Sequence, residues 1–226
     1  MEKIKRLLSS ETPVRWVFSG DSITHGALHT YGERDYTELF SERIRFEMRR
    51  SLDIVIKTAI SGTSTFSPLE NFNTLIGQFA PHVVFLMFGM NDCSAEFVPP
   101  EKFESNLNDL VDRITSIGAI PILQTTCPVL PNSRPEREPY LDKYMDIIRK
   151  TAEVKEIELI DHNLFWKNNG SDLHYWMNDA IHPNAFGHRI FARLIFETMG
   201  IFDAAGSNTC AFFVPGLSIS NQPQSR

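Results

Sequence analysis

A carboxylate stands three residues before an imidazole in Asp179-Ala-Ile-His182-Pro183, far downstream of a serine in Gly20-Asp21-Ser22. An alcohol, a base beside it and a carboxylate that fixes the base's tautomer are what a serine hydrolase needs to attack a carbonyl. Each piece also has a bland reading. Gly-Asp-Ser is ordinary turn or capping sequence, a lone histidine is more often a surface or satisfied core residue, and an Asp near a helix start is usually a cap. The spacing of Asp179 and His182 alters those readings together, because Asp179 can accept the Nδ1–H and leave Nε2 free to face Ser22.

Attack on a carbonyl also needs donors for the oxyanion, each worth ~3 kcal/mol. Gly62 can present its N–H with no side chain in the way, Asn91 can donate from its amide, and Ser22 can supply its own N–H. Taken singly, Gly62 reads as a turn glycine and Asn91 as a turn-forming Asx residue.

These residues fall where the chain's periodicity would bring them together. Apolar runs at 14–18, 54–60, 83–88, 120–125 and 157–160 have the length and β-branched or aromatic content of buried strands. Amphipathic stretches at 35–51, 69–79, 100–117 and 139–153 alternate with them, and 183–199 reads as a final helix with Pro183 in its first turn and His182 at its cap. Pro99-Pro100-Glu101 opens one helix, Gly118 ends it, and Ser133 to Glu136 has the spacing of a capping box before the next. Residues 161–180 read as irregular. Strands alternating with helices imply a mainly parallel sheet covered on both faces, with ligands beyond the carboxyl ends of the strands. Ser22, Gly62 and Asn91 follow the first three strands.

In this order the blocks resemble the SGNH-hydrolase superfamily, also called GDSL esterases and lipases: Ser22 in Gly20-Asp21-Ser22-Ile23, then Gly62, then Asn91 in Gly89-Met90-Asn91-Asp92, then His182 in Asp179-Ala-Ile-His182-Pro183. The resemblance implies that Ser22 is the nucleophile, His182 the general base and acid, Asp179 its carboxylate partner, and Ser22, Gly62 and Asn91 the oxyanion hole. It implies a three-layer α/β/α sandwich, flavodoxin-like, with a five-stranded parallel sheet, which agrees with the strand count above. Ile23 stands where the family's popular name has Leu, a swap between apolar residues.

The loop after the serine, Thr24-His25-Gly26-Ala-Leu-His29-Thr-Tyr31, is polar and aromatic, unlike a channel for long acyl chains. The expected reaction is therefore hydrolysis of a carboxylic ester through an acyl-enzyme, with a short acyl group, acetyl above all, on a carbohydrate. A lysophospholipase, thioesterase or lipase is the alternative, and a non-catalytic binding module with a vestigial triad is the alternative of another class. Asp21, His25, Tyr31 and Trp176 are the candidate substrate contacts. Asp21 and Asp92 also read as acceptors that fix loops, and His174-Tyr175-Trp176 reads equally as packing. No cofactor and no metal are expected, since His25 and His29 lack an accompanying carboxylate or cysteine pattern.

Composition excludes several classes. The 226 residues are 42% hydrophobic and 22% charged, which suits a globular protein and not a disordered one. A net charge of −6 and no basic run longer than Arg49-Arg50 argue against a nucleic-acid partner. The cysteines, Cys93, Cys127 and Cys210, are too few and scattered for a disulfide framework or CxxC-type zinc site. No apolar run approaches the ~20 residues of a membrane span, and the amino-terminal stretch lacks a signal-peptide core, so a cytoplasmic protein without a membrane partner is expected. One hydrolase domain over 1–202 and a partly packed tail over 203–226 follow. The apolar stretch at 211–217 allows either a tail on its own domain or a homo-oligomer in which it crosses to a neighbour.

Overall fold

A computed structural model of the chain describes residues 1–217; the polar end expected to fray, Ser220 to Arg226, lies outside the described residues. Five parallel strands, β1 (Arg15–Gly20), β2 (Ile54–Lys57), β3 (Val83–Met87), β4 (Ile120–Gln124) and β5 (Glu158–Ile160), form one sheet in the order β2-β1-β3-β4-β5. That order is the flavodoxin-like doubly wound arrangement, in which the chain reverses direction of growth beside β1. Strand β3 is buried along its whole length, as an interior strand covered on both faces must be, whereas β2 at the edge is only partly covered.

Nine α-helices lie among the described residues: α1 (Glu2–Ser9), α2 (Ser22–His25), α3 (Tyr36–Glu42), α4 (Phe66–Glu70), α5 (Phe72–Leu75), α6 (Pro100–Ser116), α7 (Glu138–Val154), α8 (His162–Asn169) and α9 (Ala185–Met199). Helix α3 packs on α9 and α6 on α7, forming the two outer layers of a three-layer α/β/α sandwich. Between them, Phe18 and Phe85 from adjacent strands stack with centroids 4.3 Å apart, and Phe40 of α3 packs edge-on to Phe18 at 5.0 Å. None of the helices is long and apolar enough to cross a membrane.

Several boundaries differ from those read in the sequence. The expected helix at 35–51 is α3 followed by a π-helical turn, Arg43–Glu47, and that at 69–79 is broken into α4, α5 and a 3₁₀ turn. Residues 58–60 leave the regular β2 ladder, yet Thr58 and Ile60 still donate to Phe18 and Gly20 carbonyls at 2.9 and 3.1 Å. Helix α7 begins at Glu138 with Pro139 in its first turn, so Ser133 and Glu136 do not cap it. The last helix starts two residues beyond Pro183, because the Asn184 side chain accepts from the N–H groups of Phe186 and Gly187 at 2.9 and 3.2 Å and makes Asn184 the cap. Pro183 instead pairs with Met177, closing the loop that carries Asp179 and His182. The stretch at 161–180 contains α8 and a 3₁₀ turn, Leu173–Trp176.

Residues 203–217 lie on the chain's own domain. Thr209 donates its N–H and hydroxyl to Glu47 at 2.9 and 2.8 Å, Ser171 donates to the Gly216 carbonyl at 2.9 Å, and Val214 and Leu217 are buried.

Candidate active site

The nucleophile candidate is placed by a turn that tolerates no side chain at its first position. A Cβ on Gly20 would lie 2.3 Å from Thr24 Oγ1 and 2.8 Å from the Met87 carbonyl, so only glycine lets β1 run straight into α2. Asp21 caps that helix by accepting the Ile23 N–H at 2.9 Å, and Ser22 opens it, half-buried. Ser22 Oγ is 2.8 Å from His182 Nε2, and His182 Nδ1 is 2.8 and 3.0 Å from the two oxygens of Asp179. Asp179 Oδ1 also accepts the N–H groups of Ile181 and His182, each at 2.9 Å, so the loop holds its own carboxylate. Burial pushes the Asp179 carboxyl up, but these donors and the imidazole outweigh it and hold the group below the ordinary carboxylate range. The structure thus brings Ser22 to a base 160 positions later in the sequence.

On the other side of Ser22 lie the ends of β2 and β3, the two strands that flank β1. Gly62 sits beyond β2 with φ +80° and open space where a Cβ would be. Asn91, beyond β3, donates one amide hydrogen to the Thr63 carbonyl at 2.9 Å. The planar amide then has its second hydrogen fixed in direction. Asp92 ties the two loops together by accepting from Thr65 and from Gly89, and Asn106 donates to Thr65 Oγ1 at 3.0 Å.

A nucleophilic serine, a relayed base and this block order are combined in the GDSL-like lipase/acylhydrolase family, whose family model matches residues 18–190. The chain belongs to that family. Membership places it among carboxylic-ester hydrolases. The fold of this GDSL-family chain is similar to that of a lipase/acylhydrolase from Enterococcus faecalis, at 22% identity and a TM-score of 0.72 over 83% of this chain and 96% of that one. It is also similar to an acetylxylan esterase from Geobacillus stearothermophilus (20% identity, TM-score 0.68, 84% and 97% covered). A third similar structure is an α/β-hydrolase enzyme from the metagenome of Lake Arreo, Spain (24%, 0.69, 84% and 98%). In sequence, 31% identity over 111 residues relates 47% of this chain to an uncharacterized protein of Mycoplasma pneumoniae, of which the match covers 12%. An uncharacterized lipoprotein of Bacillus subtilis is 24% identical over 66% of this chain and 69% of its own length.

Two of the expected substrate contacts are corrected. Trp176 has 0% of its surface exposed: its indole donates to the Pro215 carbonyl at 2.6 Å and packs edge-on to Trp166, so it is a core residue, while its neighbours His174 and Tyr175 face solvent. Asp21 is 1% exposed and spent on capping α2; burial pushes its carboxyl up to about 7. His25 remains at the mouth, its Nδ1 2.9 Å from Ser61 Oγ beside Gly62, and Tyr31 is 82% exposed in the loop after α2.

Sequence reasoning weighed His29 only as a metal ligand. Its ring lies flat on His182, with centroids 3.7 Å apart and planes 4° from parallel, and its Nδ1 is 3.6 Å from Asp179 Oδ2. Among the described residues, His29, Asp179 and His182 form the cluster whose donor atoms crowd within metal-binding range. Histidine nitrogens bind metals in the ring plane, and two parallel planes 3.7 Å apart cannot aim both lone pairs at one ion.

Proposed function

We propose that this GDSL-family chain hydrolyses short acyl esters, acetyl above all, of a carbohydrate through an acyl-enzyme on Ser22. The observation that carries the mechanism is the continuous 2.8 Å contact from Ser22 Oγ through His182 to Asp179. His182 Nε2 takes the hydroxyl proton as Oγ attacks the carbonyl carbon, and Asp179 stabilises the imidazolium while fixing its tautomer. The oxyanion is received by the N–H groups of Ser22 and Gly62 and the second amide hydrogen of Asn91. Collapse expels the alcohol, which takes the proton from His182; water, deprotonated by the same nitrogen, then releases the acid and frees Ser22.

For the acyl and leaving groups, support comes from the mouth. His25, Ser61 and Asn178 offer hydrogen bonds suited to hydroxyl-rich substrates, and one similar fold is described as an acetylxylan esterase. Exposed Leu28, 86% accessible in the same loop, favours a second reading in which longer acyl chains are taken. A p-nitrophenyl ester series of increasing acyl length, run beside acetylated xylo-oligosaccharides, separates the two. Acetate turnover exceeding octanoate turnover, with acetate released from the sugars, is expected. Hydrolysis of p-nitrophenyl acetate no faster than by Ser22→Ala would sink the catalytic reading and leave a binding module.

A further inference from the structure

His29 comes from a different part of the chain than the triad's base, the loop between α2 and α3, yet it covers one whole face of that base. Its Nδ1 lies 3.2 Å from Asn178 Nδ2. An amide nitrogen donates only, so with Asn178 assigned in this orientation Nδ1 accepts and the ring is neutral, carrying its proton on Nε2. Burial, and after it the neighbouring His182, lower the tendency of His29 to protonate, against the pull of Asp179. The other groups around it are consistent with a neutral ring. His188 of α9 is buried and held neutral, its Nδ1 accepting the Tyr36 N–H, and the charge of Asp35 beyond it is matched by Lys57.

We propose that His29 is a positioning residue for the base: its neutral ring, stacked on His182, fixes the plane of that imidazole between Ser22 and Asp179 and favours the imidazolium formed as the Ser22 proton is taken. This rests on the esterase reading. The physical reason is that a neutral aromatic face attracts an adjacent cation, and more strongly where water is excluded. A protonated His29 has the opposite effect. It repels the imidazolium, and its Nδ1–H competes with His182 for Asp179 Oδ2, now 3.6 Å away. Protonation of His29 therefore switches the site off.

The test compares His29→Ala and His29→Phe with the parent on p-nitrophenyl acetate across pH. Removing the ring in His29→Ala is expected to lower kcat about tenfold with KM moved less than about twofold, since the stack matters most when charge develops. His29→Phe restores the stack and recovers most of that loss. In the parent, the plot of log(kcat/KM) against pH steepens from a slope of one towards two at its acid end; in His29→Phe it stays at one. A slope and kcat in His29→Ala equal to the parent's overturn the proposal while leaving the esterase reading intact.

A parent no more active than Ser22→Ala ends the esterase reading instead, and the pairing is then judged by side-chain ¹⁵N NMR. Replacing His182 by Phe, which keeps a ring in the stack and removes its charge, is expected to raise the titration midpoint of His29. An unmoved midpoint overturns the pairing even in an inactive protein.

Discussion

Asp92 accepts both the N–H and the hydroxyl of Thr65, at 2.9 and 2.6 Å, and so locks the loop after β2 to the loop after β3. Its other oxygen accepts the Gly89 N–H at 3.1 Å, and the side chain is fully buried. The two loops are those that carry Gly62 and Asn91. Removing the carboxylate leaves three donors without acceptors in a dry site, each worth ~1–3 kcal/mol. Asp92→Ala is expected to lose about 3 kcal/mol or more of stability and to lower kcat, with Asp92→Asn intermediate because its single carbonyl oxygen keeps part of the set. Urea denaturation checks the first effect; a loss under about 1 kcal/mol would remove Asp92 as the tie between the loops.

Gly20 and Gly62 make a contrasting pair. A Cβ at Gly20 meets Thr24 Oγ1 at 2.3 Å and a backbone oxygen at 2.8 Å, whereas at Gly62 it meets nothing within 4 Å. Gly62→Ala therefore carries only the penalty of φ +80°, about 1 kcal/mol, and is expected to fold while losing activity as its N–H is re-aimed. Gly20→Ala forces backbone apart in the turn beneath Ser22 and is expected to cost more than about 3 kcal/mol. Thermal melts of the two variants, with equal losses, would contradict this ordering.

The strand ends and the pairing of Asp179 with His182 were legible in the sequence because both rest on short-range rules. Strand β1 ends and a turn begins within Gly20 to Ser22, and Asp179 and His182 need only one loop to meet. Helix starts were misplaced where two residues competed for the cap: Pro183 fits a first turn, but Asn184 offers a side-chain acceptor for two N–H groups and wins. Trp176 could not be sorted from sequence, since whether an indole stacks on a substrate or on Trp166 depends on where Pro215, 39 residues later, brings its carbonyl. His29 was hidden for the same reason. A face-to-face contact between residues at opposite ends of the chain leaves no periodicity to read.

Asp21 gives a pH dependence whose sign follows from its burial. The carboxyl binds its proton more tightly folded, at about 7, than the ordinary value of 3.8. Its stabilising contribution is complete below 3.8 and is lost as pH rises towards 7, after which it is flat. Asn at this position still caps α2 and stays neutral. The stability of Asp21→Asn minus that of the parent is thus expected to be near zero at pH 4 and to favour the variant by up to about 4 kcal/mol at pH 8. A gap that does not change with pH would place the Asp21 titration elsewhere.

Asp179 serves two masters, the imidazole and the backbone of its own loop, and its variants should separate them. In Asp179→Asn the amide oxygen can still accept from Ile181 and His182 N–H, but the NH₂ that then faces Nδ1 favours the wrong imidazole tautomer, an effect worth up to ~10⁴ in kcat elsewhere. Asp179→Ala loses the loop anchor as well and gains a freer imidazole, so its kcat is expected to fall less far than that of Ser22→Ala or His182→Ala. Residues acting as one relay are also non-additive: Ser22→Ala combined with His182→Ala should be no slower than Ser22→Ala alone. Steady-state rates on p-nitrophenyl acetate decide both points. Multiplicative losses in the double variant would mean that the 2.8 Å contact between Ser22 and His182 is not the path of the proton.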